Sequence, residues 1–167
     1  MRHAHQDMIQ QFLKRSLAID TAAPATSLGL LLLRAGTGAL VFYVHGLHKL
    51  EGGISFLHDG TPWQLAEEVA AMHVPLPVVS AFAATAAQLL CAPLLAAGLF
   101  TRINAAILTA TLGVAVLQNL GAHRDPQLAL LYECVVASLV FTGGGRWSLD
   151  ALLGRTAATA ATVAAHR

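Results

Sequence analysis

Residues 78–122 read VVSAFAATAAQLLCAPLLAAGLFTRINAAILTATLGVAVLQNLGA, and Arg102 is the only charged residue in this stretch. The apolar run on each side of Arg102 is long enough to cross a hydrocarbon core, which takes about 20 residues of helix. Because lipid offers the backbone no hydrogen-bond partners, a crossing segment must pair its own N–H and C=O groups. Residues 78–100 and 103–122 are therefore predicted to be two membrane-spanning helices.

Two further apolar stretches lie on either side of this pair. Residues 28–47 are interrupted by a single charge, Arg34, and residues 127–143 contain Glu133. The chain as a whole is 56% hydrophobic and 11% charged, whereas soluble domains carry about 25% charged residues. The sequence thus predicts an all-α fold: a polytopic membrane protein with a four-transmembrane-helix bundle in contact with the lipid bilayer.

The chain is divided into three units around these spans. Apolar residues recur at helical spacing within residues 1–27, which predicts an amphipathic N-terminal helix on the membrane surface. This segment lacks the apolar core of a secretory signal peptide. Residues 28–153 form the membrane domain, and residues 154–167, rich in alanine and threonine, are predicted to be a flexible tail.

The connection at residues 48–77 is too long for a plain loop. Thr61, Pro62 and Gln64 resemble a capping box with proline at the first helical position. A short outer-loop helix is therefore predicted from Pro62 to Met72.

Positive charges are distributed unequally between the two sides of this arrangement. One side carries Arg2, Lys14, Arg15, Arg102, Arg146, Arg155 and Arg167. The other side carries only Lys49 and Arg124. Because segments rich in Lys and Arg remain in the cytoplasm, both termini are predicted to be cytoplasmic (N-in/C-in).

Composition and spacing argue against several function classes. A net charge of +1 gives no indication of nucleic-acid binding. Cys91 and Cys134 lie inside apolar runs and match no disulfide or zinc pattern. The segment Gly143–Asp150 lacks a preceding strand and a Gly-Lys-Ser sequence, so it is no phosphate loop. Its glycines are predicted to end the fourth helix, and Ser148 to cap a short surface helix.

Arg34, Gln88 and Glu133 form the candidate intramembrane polar site. Charge inside a bilayer is costly unless it is paired or hydrated. Arg34 is interpreted either as a functional charge or as a tie between helices through Gln88 and backbone carbonyls. Glu133, roughly 10 Å below the outer surface, is either a proton relay or quinone contact, or a neutral packing residue. Arg34 and His45 are its candidate partners.

His45 and His48 are the candidate cofactor-binding residues. Three residues apart, they share one face of a helix, and histidine both binds metals and titrates near neutrality. With Glu51 and Asp59 they offer a divalent-metal or heme site or a proton shuttle. The alternative is a pair of interfacial histidines without a ligand. No closed metal motif is present in the sequence, so no metal site is assigned.

Three motifs together resemble the DoxX family, which includes DoxD-like proteins. They are Leu31–Arg34 followed by His45-Gly46 and Lys49-Leu50, Gly98–Arg102, and Gly143–Asp150. The resemblance covers roughly residues 28–153. It implies a four-helix protein of the bacterial inner membrane. It departs from the family pattern at two positions, where Gln88 and about Gln127 replace commonly occurring glutamates.

The resemblance also implies a function. Some DoxX-like proteins belong to redox systems that use quinone or thiols, so the chain is interpreted as an accessory membrane subunit of an oxidoreductase complex. Quinone is the cofactor that fits this hypothesis, whereas heme or a metal ion is not expected. A soluble or membrane redox partner is expected, and a homo-oligomer is left open. The alternatives are a small transporter that uses Arg34, Gln88, Asn104 and Glu133 as a polar path, or a non-catalytic assembly subunit.

Overall fold

The computed structural model describes residues 23–155, and every regular element within that range is helical. In order, the elements are α1 (Pro24–Leu40), a π-helical segment (Val41–Gly46), α2 (Leu47–Asp59), α3 (Gln64–Ala71), α4 (Pro77–Ala97), α5 (Thr101–Gly121) and α6 (Gln127–Thr142). A last short helix, α7, covers residues 149–155. The predicted all-α fold is confirmed. Residues 1–22, which hold most of the predicted amphipathic helix, lie outside the described residues.

Three helices are long and apolar enough to cross a membrane: the continuous helix Pro24–Asp59, α4 and α5. The fourth, α6, is a shorter apolar helix of 16 residues, about 24 Å long at 1.5 Å per residue. Large hydrophobic side chains cover the outside of the bundle, among them Leu32, Tyr43, Leu90, Leu117 and Phe141. Such a surface needs a lipid solvent, and the chain is a multi-pass membrane protein.

The four long helices close into a ring in which α1 packs on α4, α4 on α5, α5 on α6 and α6 on α1. Their shared core includes Val41, Leu95, Leu108, Val136 and Leu139, all with 0% exposure. Gly38 allows the close approach of α1 to α4, because a Cβ there would lie 2.6 Å from the Ala92 carbonyl oxygen. Small residues at such crossings supply the packing that holds helices together in lipid.

Both ends of the described chain lie at the same end of the bundle, as an even number of crossings requires. Gly145, after α6, packs against Leu30 and Ser27 at the start of α1. This end is called the termini end, and the opposite end, which carries α3, is called the α3 end.

The first helix extends further than predicted. The sequence placed its end near Leu47 because His48, Lys49 and Glu51 are polar, yet the helix continues to Asp59. Polar residues mark where a helix leaves lipid, but they do not stop it. The stop is Gly60, which adopts the left-handed conformation with φ +67° that glycine favours.

The short α3 helix exists as predicted, but the predicted capping box is wrong. The helix begins at Gln64, its N-cap is Trp63, and no side chain caps it. Gln64 instead donates a hydrogen bond from Nε2 to Glu68 Oε1 at 2.9 Å. Trp63 is 4% exposed, so the packing of its indole sets where α3 starts.

Candidate functional site

A cavity of about 630 Å³ opens at the α3 end of the bundle. Its wall comes from the π-helical segment and from α2 to α6. The polar side chains that line it are His45, His48, Lys49, Glu51, Ser55, Gln64, Glu68, Gln88, Gln118, Asn119, Arg124, Asp125 and Tyr132. Its size is typical of a site for a small organic ligand.

Gln88 lies at the deep end of the cavity. It follows Pro77, the first residue of α4, by eleven positions, which places it about 16 Å down the helix and near the middle of the bundle. The residue is 1% exposed, and its Oε1 has no hydrogen-bond partner among the described residues. A buried amide oxygen without a partner is costly, and a bound ligand would satisfy it.

His45 and Tyr132 line the cavity together. Their rings meet edge to face with centroids 5.6 Å apart. The buried Nε2 of His45 has no hydrogen-bond partner among residues 23–155. Gln88, His45 and Tyr132 therefore offer a ligand an amide, an imidazole and a phenol.

The π-helical segment positions His45 within the first helix. The backbone N–H of Leu47 donates to the carbonyl oxygen of Phe42, five residues earlier, so the turn is wider than an α-helical one. Single π turns inside α-helices occur frequently at functional sites. The residues Val41–Gly46 contain no Pro, and an unbroken apolar run gives no signal in the sequence for such a turn.

Glu68 on α3 organises the rim of the cavity. Its carboxylate accepts hydrogen bonds from Gln64 and Gln118 and forms an ion pair with Arg124, whose Nη2 lies 2.8 Å from Oε1. These contacts connect α3 to α5 and to the loop that precedes α6. They fix α3 across one side of the cavity.

Trp63 forms an apolar wall of the cavity. Its indole lies 4.6 Å from the Phe82 ring, measured between centroids. A Cβ on Gly52 would approach the indole to 2.9 Å, so α2 presents glycine where the tryptophan packs. The backbone of α2 and the ring of Phe82 thus pack against two parts of the indole.

The predicted site residues do not form one cluster. His45, His48 and Gln88 all line the cavity. Glu133 does not line it, and its carboxylate lies beside Gly113 on α5. Its Oε2 has no hydrogen-bond partner in the described part of the chain, so neither candidate partner, Arg34 or His45, bonds to that atom.

Arg34 lies at the termini end and ties three segments together. Its Nη1 donates to the carbonyl oxygen of Ala96 at 2.7 Å, and its Nη2 donates to that of Trp147 at 2.6 Å. The side chain is 1% exposed. This arrangement matches the structural interpretation through backbone carbonyls, without the Gln88 contact proposed with it. Ala96 follows Gln88 by eight residues on α4, about 12 Å along the helix.

Asp150 is an important residue at this end that the sequence analysis missed. Its carboxylate accepts hydrogen bonds from the backbone N–H groups of Phe100 and Thr101 and from the Thr101 hydroxyl, at 2.7, 2.8 and 2.8 Å. It thus caps the N-terminus of α5 from 50 residues away in sequence. Burial raises the pKa of Asp150, but these hydrogen bonds and the charge of Arg34 outweigh it and lower the pKa below its usual value.

The glycine segment between α6 and α7 adopts the conformation that its sequence predicts. Gly143 ends α6 with φ +71°. Ser148 accepts a hydrogen bond on its hydroxyl from the Ala151 N–H at 3.1 Å, which caps α7 as expected. The loop brings Asp150 to α5 and the Trp147 carbonyl to Arg34.

An apolar layer separates the cavity from the termini end. Cys91, Ala92, Leu95, Leu108 and Leu112 are buried there. Asn104, below this layer, bonds to the carbonyl oxygens of Leu99 and Phe100. Of the four residues suggested for a transport path, Gln88 lines the cavity and Glu133 lies beside Gly113. Arg34 and Asn104 lie at the termini end, beyond the apolar layer.

The residues that could hold a metal ion are dispersed. Within residues 23–155, no group of three or more His, Cys, Asp or Glu side chains is arranged around a common point. His58 pairs with Asp59 at 2.9 Å on the surface, away from His45. Cys91 and Cys134 are both free.

Comparison with known proteins identifies the family. The chain matches none of the curated proteins and none of the solved structures with which it was compared. The DoxX family model matches residues 29–123, more than half of the chain, from α1 through α5 and across most of the cavity wall. This protein therefore belongs to the DoxX family.

Proposed function

We propose that this protein is the membrane subunit of a redox system and binds a quinone headgroup in the cavity at the α3 end. The observation that supports this is a cavity of about 630 Å³ that ends at the buried, unpartnered amide oxygen of Gln88. A quinone ring is flat and largely apolar, with one polar oxygen at each end. The cavity offers apolar walls to such a ring at Leu112 and Trp63, and polar groups for its oxygens at Gln88 and His45.

The chemistry of the lining side chains suits both redox states of the headgroup. The Gln88 amide can donate to a quinone carbonyl or accept from a quinol hydroxyl. The His45 imidazole can donate a hydrogen bond to a quinone carbonyl or accept one from a quinol hydroxyl through its ring nitrogens. In this proposal Gln88 holds one oxygen of the headgroup deep in the bundle, and His45 exchanges protons with the α3 end.

The electron partner is proposed to be a separate protein. Cys91 is buried within the bundle core and Cys134 lies on another helix, so the two thiols are unsuited to act as a pair. The free surface of the α3 end would receive a soluble redox protein close to the cavity. The chain then supplies the membrane anchor and the quinone site.

A fluorescence titration tests quinone binding. The chain has two tryptophans, and Trp63 lines the cavity. In a Trp147→Phe background, a short-chain benzoquinone should quench Trp63 fluorescence with saturation. Gln88→Leu should weaken binding about tenfold, as expected from the loss of one hydrogen bond. Gln127→Leu makes the same replacement outside the cavity and should leave the affinity unchanged.

Two outcomes would contradict this proposal. One is quenching that rises linearly with quinone concentration, because unsaturable quenching reflects partition into the detergent. The other is equal affinity in the Gln88→Leu and Gln127→Leu proteins. A monodisperse gel-filtration peak for each variant serves as the folding control.

We also propose that the protein resides in a bacterial inner membrane with both termini in the cytoplasm. The support is the unequal distribution of Lys and Arg between the two ends of the bundle. A reporter active only in the periplasm should function when inserted after Gly60 and stay silent when fused after Arg167. Reporter activity in the Arg167 fusion would show that the C-terminus is periplasmic and would contradict this orientation.

A further inference from the structure

The ammonium group of Lys49 is a positive charge in the cavity wall that has no partner among the described residues. Lys49 is partly buried and lines the cavity. No hydrogen bond or ion pair joins the Lys49 ammonium group to another of the described residues. A partly buried ammonium group without a partner is poorly stabilised, and a bound anion would stabilise it.

Glu68 does not form an ion pair with Lys49. Glu68 acts on Lys49 through its charge, but its carboxylate already accepts from Gln64, Gln118 and Arg124. Glu51, which also lines the cavity, is exposed at the rim. Asp125, the third acid that lines the cavity, is exposed and accepts a hydrogen bond from the Gln127 N–H at 2.9 Å. None of these three carboxylates forms an ion pair with Lys49.

Other unpartnered groups point to the same conclusion. His45 lies one helical turn before Lys49, and its buried Nε2 has no partner among the described residues. The amide of Gln88 is deeper in the same cavity. Three groups without hydrogen-bond partners therefore follow one another along the cavity: Lys49 near the rim, His45 one turn deeper, and Gln88 near the middle of the bundle.

We propose that Lys49 forms an oxyanion subsite at the mouth of the cavity, which takes a carboxylate or phosphate group. The subsite is separate from the quinone position at Gln88 and does not depend on it. A single charge-assisted hydrogen bond from Lys49 recognises the anion, and His48 on the adjacent rim adds a second donor. The anion is either a soluble molecule that enters from the α3 end or the headgroup of an anionic lipid.

Lysine acylation measures the subsite directly in the wild-type protein. The chain has only two lysines, Lys14 and Lys49, so mass spectrometry can follow each one separately. Protein in phosphatidylcholine nanodiscs is treated with an acetylating reagent in the presence of benzoate or inorganic phosphate. Acylation of Lys49 should slow at least about fivefold with saturation, while that of Lys14 should not change.

A second arm separates the two sources of the anion. Nanodiscs that contain phosphatidylglycerol are tested without any soluble anion. Protection of Lys49 by benzoate or phosphate identifies a soluble ligand, and protection by phosphatidylglycerol alone identifies a lipid headgroup. Unprotected acylation of Lys49 under both conditions overturns the proposal.

Variants then test whether the charge itself binds the anion. In the Trp147→Phe background, Trp63 fluorescence reports benzoate binding beside Lys49. Lys49→Gln should weaken that binding about tenfold or more, and Lys49→Arg should retain it. Arg102→Gln removes the same charge at the termini end and should have no effect. Equal affinity in Lys49→Gln and Arg102→Gln would overturn the proposal, whereas failed quinone binding with intact benzoate binding would overturn only the proposed quinone site.

Discussion

Replacing Arg34 with leucine removes a buried tie among α1, the end of α4 and the loop after α6. The guanidinium donates to the carbonyl oxygens of Ala96 and Trp147 at 2.7 and 2.6 Å. A hydrogen bond to a charged group contributes about 1.5–3 kcal/mol, so losing both should lower the free energy of unfolding by about 3–6 kcal/mol. Arg34→Lys keeps the charge but cannot reach two acceptors with a planar fork, and it should lose about half of that amount.

Unfolding by sodium dodecyl sulfate in mixed micelles measures this free energy, followed by circular dichroism of the helices. Arg102→Leu is the matched control, because Arg102 is exposed and forms one long hydrogen bond, 3.2 Å, to the Phe141 carbonyl. Its replacement should cost less than about 1 kcal/mol. If the unfolding free energies of the Arg34→Leu and Arg102→Leu proteins agree within about 0.5 kcal/mol, the two Arg34 hydrogen bonds do not stabilise the bundle.

Three further perturbations test other parts of the structure. The pKa of Asp150 is lowered in the folded protein, so the ionised carboxylate stabilises the fold above the ordinary carboxyl pKa of about 3.9. This stabilisation is lost as the pH falls through the lower pKa of the folded state. Asp150→Asn should therefore lower the thermal midpoint at pH 7 and make the midpoint decline less steeply below about pH 4. Gly38→Val places atoms against the Ala92 carbonyl and should force α1 from α4, which reduces the yield of monodisperse protein, whereas Gly29→Val, where a Cβ meets open space, should not. Because Glu133 does not line the cavity, Glu133→Gln should leave the protein folded and its quinone-linked activity unchanged across the tested pH range, and loss of that activity would contradict the assignment of proton exchange to His45.

Much of the fold could be predicted from hydrophobicity, because in lipid an apolar run of sufficient length has few alternatives to a helix. The spans around Arg102 and the glycine stop at Gly143 follow from such local rules. The extension of the first helix to Asp59 did not, because a helix that leaves the membrane can continue in water until a residue such as Gly60 ends it. The start of α3 was also missed, since the packing of Trp63 determines it.

The candidate site was predictable in its residue types but not in its grouping. His45 and Gln88 were identified as unusual polar residues near apolar runs, yet nothing in their spacing places them in one cavity. Arg34 belongs to the other end of the bundle, where its acceptors are backbone carbonyls that no sequence pattern displays. Asp150 was missed for a similar reason, because it caps a helix that begins 49 residues earlier.

Photolabelling with an azidoquinone tests most directly whether the cavity holds a quinone headgroup. The purified protein is illuminated with the reagent in nanodiscs, and mass spectrometry locates the modified residues. Label is expected on the cavity lining, at His45 or Tyr132, and excess unlabelled quinone or the Gln88→Leu replacement should suppress it. Label confined to the lipid-facing surface, for example at Phe141, which is 80% exposed, and insensitive to competing quinone, would contradict it.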